Sequence, residues 1–163
     1  SPYSLSKANN LELLQNLKKW FGLSYECLYF YNVYGNGQIK KGSMSTIIGI
    51  FERQFKNDQF LTVVKPGIQT RKFTHIEDTI EGCINAYNKK MNRHYALSNT
   101  KSYSILRVAK MFSKKIRFIK KRKGERGRSV NLKKINDIKI YSYPCKFDLK
   151  DYIQNFKRNL AKN

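Results

Sequence analysis

Apolar residues recur along this chain with a period that switches back and forth between helical and extended. That switching restricts the fold more than any other feature. Leu5, Ala8, Leu11, Leu14 and Leu17 recur every third residue from a Ser-Pro start to Gly22, which predicts a helix over 4–21 with a proline entry and a glycine stop. SYECLYFY (24–31) is a dense β-prone run, and NVYGNGQIKKG (32–42) after it reads as a Gly/Asn-rich loop. Helices are predicted over 45–55, 77–90, 104–112 and 148–160, and strands over 61–64, 71–76, 94–98 and 115–119. Strands alternating with helices of this length make an α/β fold.

A chain of 163 residues, 40% of them hydrophobic, can bury one core, so one globular unit or part of a larger one is expected. No apolar run approaches the roughly 18 residues that span a bilayer, and the start carries no charged-then-apolar signal pattern. A soluble, cytoplasmic protein without membrane association is the expectation. Cys27, Cys83 and Cys145 are odd in number and widely spaced, which fits reduced thiols better than a disulfide framework or a zinc site. His75 and His94 are the only histidines, too few to suggest a metal cluster.

The formal charge of +22 is unevenly distributed: residues 1–100 hold 13 Lys/Arg against 7 Asp/Glu, and residues 101–163 hold 20 against 4. Such asymmetry raises nucleic acid as a partner, centred on the basic run KKIRFIKKRKGERGR (114–128). Lysines outnumber arginines 24 to 9 amid 15 asparagines, which reads instead as compositional drift. Specific nucleic-acid binding is therefore not expected.

Tyr3 and Lys7 are four apart on the first predicted helix, so their side chains lie one above the other on one face. An ammonium beside a phenol favours the phenolate, and such a pair can shuttle a proton when a hydroxyl is oxidised by hydride transfer. With 11 tyrosines and 24 lysines in the chain, chance alone supplies one or two pairs at this spacing. Order supplies the specificity that the pair lacks. S-P-Y-S-L-S-K (1–7) is followed by Y-F-Y-N-V-Y-G-N-G-Q (29–38), then P-G-I-Q-T-R-K-F-T-H-I-E-D (66–78), then R-K-G-E (122–125). This series resembles the extended short-chain dehydrogenase/reductase family, specifically the NAD-dependent nucleotide-sugar epimerases and dehydratases.

The resemblance covers nearly the whole chain but only the C-terminal half of a typical member. It implies the C-terminal part of an NAD(P)-binding Rossmann fold: the last Rossmann helix and strand within 1–31, then a smaller α/β substrate-binding domain over 32–163 with some segments returning to the first. The Gly-rich first turn that receives the dinucleotide pyrophosphate is absent, and the GxG formed by Gly35 and Gly37 is in the wrong context for it. The resemblance implies that Tyr3 is the catalytic tyrosine and Lys7 the lysine that holds the nicotinamide ribose, with Phe30 bordering the carboxamide of NAD. Asn32, Arg71 and Arg122 match residues that contact the diphosphate of a nucleotide-diphosphate sugar, and Glu125 matches the organiser of Arg122. A guanidinium fork suits phosphate oxygens in geometry as well as charge.

Lys72 replaces the aspartate usual after the arginine, Tyr34 is expected to pack beneath its loop, and Lys41 and Met44 fall in a segment that borders the nucleotide. His75 is expected to be structural and Asp78 to cap the helix at 77–90. The implied activity is that of a UDP-hexose 4-epimerase-like enzyme, with a 4,6-dehydratase of the same family as the alternative and a homodimeric parent. Taken alone, residues 1–163 are expected to be inert, with Leu11, Leu14, Trp20 and Phe30 lacking the sheet they would pack on. A filter-binding titration at two salt concentrations separates the enzyme from the nucleic-acid class: weak, non-specific binding is the expected outcome, and tight sequence-selective binding would overturn it.

Overall fold

The predicted helices begin where a side chain can stand in for the missing backbone acceptor. The computed structural model describes residues 2–120, 133–135 and 137–162. In chain order the elements are α1 (Pro2–Phe21), β1 (Cys27–Phe30), β2 (Val33–Tyr34), α2 (Ile47–Lys56), β3 (Leu61–Val64), β4 (Thr70–Lys72), β5 (Thr74–His75), α3 (Ile76–Lys89), β6 (His94–Leu97), β7 (Ser102–Ser104), α4 (Ile105–Phe112), β8 (Ile116–Ile119), β9 (Lys134–Ile135), β10 (Ile138–Ser142) and α5 (Leu149–Leu160). Thr46, Ser104 and Asp148 accept from the backbone N–H groups of Gly49, Arg107 and Lys150 and so start α2, α4 and α5. Gly22, at φ 68°, closes α1 by donating to Lys18 O at 3.0 Å.

The fold is mixed α/β, built on a sheet of order β1-β6-β10-β9 in which β6 pairs parallel with both β1 and β10. Three smaller pairings surround it: β2 with β5 and β3 with β8 run parallel, and β4 with β7 runs antiparallel. β1 is shorter than the run 24–31 because the Tyr25 N–H donates to Asn92 Oδ1 at 3.0 Å and so leaves the strand ladder. The single strand expected over 71–76 divides at buried Phe73. Its two halves, β4 and β5, pair with different strands, and α3 follows at once.

Leu61 and Val63 of β3, Phe51 of α2, Val108 and Phe112 of α4, and Leu149 and Ile153 of α5 form the main core. Full burial of side chains of this size contributes about 1.5–3 kcal/mol each. A smaller cluster of Tyr31, Ala96 and Ile140 lies at the main sheet. Helix α1 belongs to neither and has no buried residue; Trp20 is 62% exposed, and Leu11 and Leu14 are only half-buried. Among the described residues no helix is long and apolar enough to cross a membrane. The three cysteines are free thiols.

His94 lies at the centre of the main sheet, buried, with its Nδ1 3.0 Å from the Tyr29 hydroxyl and its ring against Tyr25 and Tyr29. Burial holds its pKa below the ordinary 6.5, Lys18 adds to the effect and Glu26 opposes it. His75 is lowered by burial too, against the pull of Asp78 and Glu77. A histidine that resists protonation when folded stabilises the fold above the unfolded-state pKa, and that stabilisation is lost as pH falls below about 6.5. Thermal melts should therefore shift downward from pH 7.5 to 5.5, where ordinary carboxylates contribute little. The shift should shrink in His94→Gln whatever that variant's absolute stability; an unchanged slope would remove His94 as its source.

Candidate functional site

A cleft of about 330 Å³ opens where β2, β3 and β4 meet the N-terminal ends of α2 and α4. Asn32 and Arg71, 39 positions apart in the sequence, both line it. The Asn32 amide donates to Lys72 O at 2.8 Å, and because a carbonyl only accepts, this fixes which way the amide faces. The Arg71 guanidinium, half-buried, is oriented by a 2.8 Å bond from Nη1 to Thr70 O. Ser45, Thr46, Thr62 and Gln69 add polar groups, while Ile47, Ile48, Val64 and Ile105 are among the apolar ones. The start of α2 brings the positive end of a helix dipole to the same space. A guanidinium, a helix N-terminus and an apolar wall together suit an anionic ligand that also carries an apolar part.

One wall of the cleft is held by a buried carboxylate. Glu52 of α2, 2% exposed, accepts from the Tyr152 hydroxyl at 2.6 Å and from Gln38 Nε2 at 2.9 Å, and pairs with Lys40 Nζ at 2.9 Å. Gln38 Oε1 in turn accepts from Thr46 Oγ1 at 2.8 Å. The segment between β2 and α2 is thereby fastened to both α2 and α5. A Cβ at Gly49 would lie 2.6 Å from Ile39 O, so only glycine lets that segment approach the helix so closely. Burial pushes the Tyr152 phenol upward, and its bond to Glu52 adds to the shift.

Tyr3 and Lys7 come together as their spacing predicts, with Lys7 Nζ 5.5 Å from the centre of the Tyr3 ring. They are on open surface, Tyr3 being 72% exposed, and neither lines the cleft. Phe30 ends β1 with its ring 58% exposed. Lys41 and Met44 are exposed on the segment that leads into the cleft wall at Ser45. Arg122 and Glu125 lie outside the described residues. Tyr34 is fully buried against His75 and Tyr152, as a ring packed beneath its loop should be.

Asp78 does not cap α3. That position belongs to His75, whose Nδ1 accepts from Glu77 N at 3.3 Å. Buried Asp78 instead accepts from the N–H groups of Lys146 and Phe147 at 2.8 and 3.1 Å, which pins the approach to α5 onto α3. Sequence reasoning also missed Thr62 and Gln69. Their signal was present: Thr62 and Val64 alternate with buried Leu61 and Val63, and Gln69 is two residues before Arg71, next to the start of β4.

The family model for NAD-dependent epimerases and dehydratases matches residues 1–118. The chain belongs to this family. It is 33% identical over 90 residues to a protein of Methanocaldococcus jannaschii assigned as a UDP-glucose 4-epimerase, a stretch covering 55% of this chain and 29% of that protein. The solved UDP-glucose 4-epimerase of Thermotoga maritima superposes with a TM-score of 0.80 at 19% identity, over 98% of this chain and 54% of its own. The dTDP-glucose 4,6-dehydratase of Bacillus anthracis superposes with a TM-score of 0.77 at 17% identity, over 100% of this chain and 53% of its own. The chain thus spans about half the length of the solved family members it matches.

Within this epimerase/dehydratase chain, Tyr152→Phe removes one donor from a carboxylate that burial makes costly to leave under-satisfied. The expected loss is about 1–3 kcal/mol, seen as a lower thermal midpoint at roughly 2–4 °C per kcal/mol. A variant as stable as the wild type would show that Glu52 is adequately held by Gln38 and Lys40.

Proposed function

We propose that this chain supplies the sugar-nucleotide cleft and the Tyr/Lys pair of an NAD-dependent UDP-hexose 4-epimerase. The observation that carries the reading is the convergence of Asn32 and Arg71, with the N-terminus of α2, on one cleft that also has apolar walls. A diphosphate fits the charged groups, and the family match over residues 1–118 favours a nucleotide-sugar ligand. Epimerase is preferred to dehydratase because one hydride cycle at a single sugar carbon needs no further acid/base pair.

In this mechanism Arg71 and Asn32 hold the diphosphate, and Arg122 is assigned to the same task from the sequence. The Tyr3 oxygen takes the proton of the sugar hydroxyl as the hydride leaves the same carbon. Tyr3 must be the phenolate to accept that proton, a form that the Lys7 ammonium favours, and Lys7 would also hold the nicotinamide ribose. NAD, when bound, supplies the hydride acceptor and the source of its return. Tyr3, Lys7 and Phe30 are exposed, which leaves them open to the nicotinamide end of that cofactor. With the diphosphate anchored, the keto sugar would turn its other face to the same site, and the Tyr3 hydroxyl would give the proton back to the sugar oxygen.

Two variants test this in the intact enzyme with UDP-glucose as substrate and UDP-galactose as the measured product. Tyr3→Phe should lose turnover while keeping UDP-sugar affinity, because the ring stays and only the proton carrier goes. Arg71→Ala should weaken UDP binding by more than about tenfold, equivalent to about 1.4 kcal/mol. Undiminished turnover in the first would sink the proton-shuttle assignment, and equal affinity in the second would remove Arg71 from the site. Release of a 4-keto-6-deoxy sugar nucleotide instead of UDP-galactose would replace epimerase by dehydratase.

A further inference from the structure

Gln54 and Thr62 form a reciprocal pair whose polarity can be read without ambiguity. The backbone N–H of Thr62 donates to Gln54 Oε1 at 3.1 Å, and an N–H can only donate, so that amide atom must be oxygen. The other end of the amide is then NH2, and it donates to Thr62 Oγ1 at 2.9 Å. The Thr62 hydroxyl is thereby fixed as an acceptor toward Gln54, which leaves its own proton to be donated elsewhere. Gln54 is buried, so the pair is shielded from exchange with water.

Thr62 is also part of the cleft wall. On β3, Leu61 and Val63 turn into the core, so Thr62 and Val64 face the other way, about 7 Å apart along the strand. Val64, Ile47, Ile48 and Ile105 make much of the surrounding wall apolar. Arg71 is on β4 and Asn32 immediately precedes β2, and in this reading they provide for the phosphates. The other two hydroxyls of the wall, Ser45 and Thr46, donate to Gly42 O and Gln38 Oε1, so the Thr62 proton is the one turned to a ligand; a hydroxyl donor beside valine and isoleucines matches the least charged part of a nucleotide sugar, a flat base that carries ring carbonyls.

We infer that Thr62, oriented by Gln54, donates a hydrogen bond to a ring carbonyl of the ligand's pyrimidine base and so acts as a specificity-determining residue of the cleft. The inference rests on the reading of the cleft as a nucleotide-sugar site. A donor held in place beside apolar groups selects its ligand, because a ligand without an acceptor leaves the hydroxyl unpaired. Gln54 acts through Thr62 and is a positioning residue.

The test is the affinity of the intact enzyme for UDP, 2-thio-UDP and 4-thio-UDP by calorimetry, since a thiocarbonyl is a poor acceptor of nearly the same shape. Wild type should bind one of the two thio analogues at least threefold more weakly than UDP. Thr62→Val should bind UDP more weakly by a similar factor and no longer distinguish that analogue from UDP, while Thr62→Ser should keep the wild-type pattern. Equal binding of all three ligands by wild type overturns the inference, as it would if Thr62 donated to a phosphate instead. Discrimination that persists in Thr62→Val overturns it as well. Failure of wild type to bind UDP at all overturns the cleft assignment beneath it, an outcome distinct from the other two.

Discussion

Glu52 is a carboxylate almost wholly removed from water, and the arrangement around the cleft follows from the need to satisfy it. A buried charge must be paired and hydrogen-bonded or its burial opposes folding. Its partners come from two separate places: Tyr152 on α5, and Gln38 and Lys40 on the segment after β2. That segment has no strand or helix between β2 and α2 to position it. The carboxylate does so in their place, and Thr46, which caps α2 and lines the cleft, is tied to the same network through Gln38. A helix cap, a loop path and a cleft wall therefore share one electrostatic cause.

Two regions of the chain are held together very differently. Around β3, α2, α4 and α5 the packing is dense and aromatic: Phe112 meets Phe51 and Phe156 edge-on, with ring centres 6.0 Å apart in each pair. This cluster makes a rigid floor, and β3 carries Thr62 and Val64 from it into the cleft. At the other end α1 rests on the chain without burying a residue, and Phe30 is left open at the edge of the main sheet. The groups assigned to recognition stand on the first region, and those assigned to proton transfer stand on the second.

The charge surplus has only a partial structural account. Lys101, Lys115, Lys134 and Lys146 pair with exposed or half-buried carboxylates, contacts that contribute little to stability. Several other cations lie over aromatic rings, as Arg117 does over Phe60 at 4.9 Å and Arg93 over Tyr141 at 4.7 Å. Arg71 is different in kind because it is half-buried, bonded to the Thr70 carbonyl and part of the cleft wall.

Local chemistry was legible in the residues themselves. The Ser-Pro entry and glycine stop of α1, the i,i+4 meeting of Tyr3 and Lys7, and the apolar alternation of β3 each depend on neighbours a few positions away, so spacing was enough to read them. The ordered motifs carried the family and, with it, the choice of Asn32 and Arg71. What spacing could not reach was decided by partners distant in the chain. β10 is a strand because β6 offers it a parallel edge, and the run 71–76 breaks because its halves meet different strands. Asp78 holds the backbone at 146–147 rather than capping its own helix, since His75 already occupies the cap and two unpaired N–H groups from 68 and 69 positions away lie within reach. The sequence by itself determined which residues can do chemistry; only the tertiary structure decided which of them share a cavity, because buried donors, acceptors and charges are satisfied across space without regard to their order.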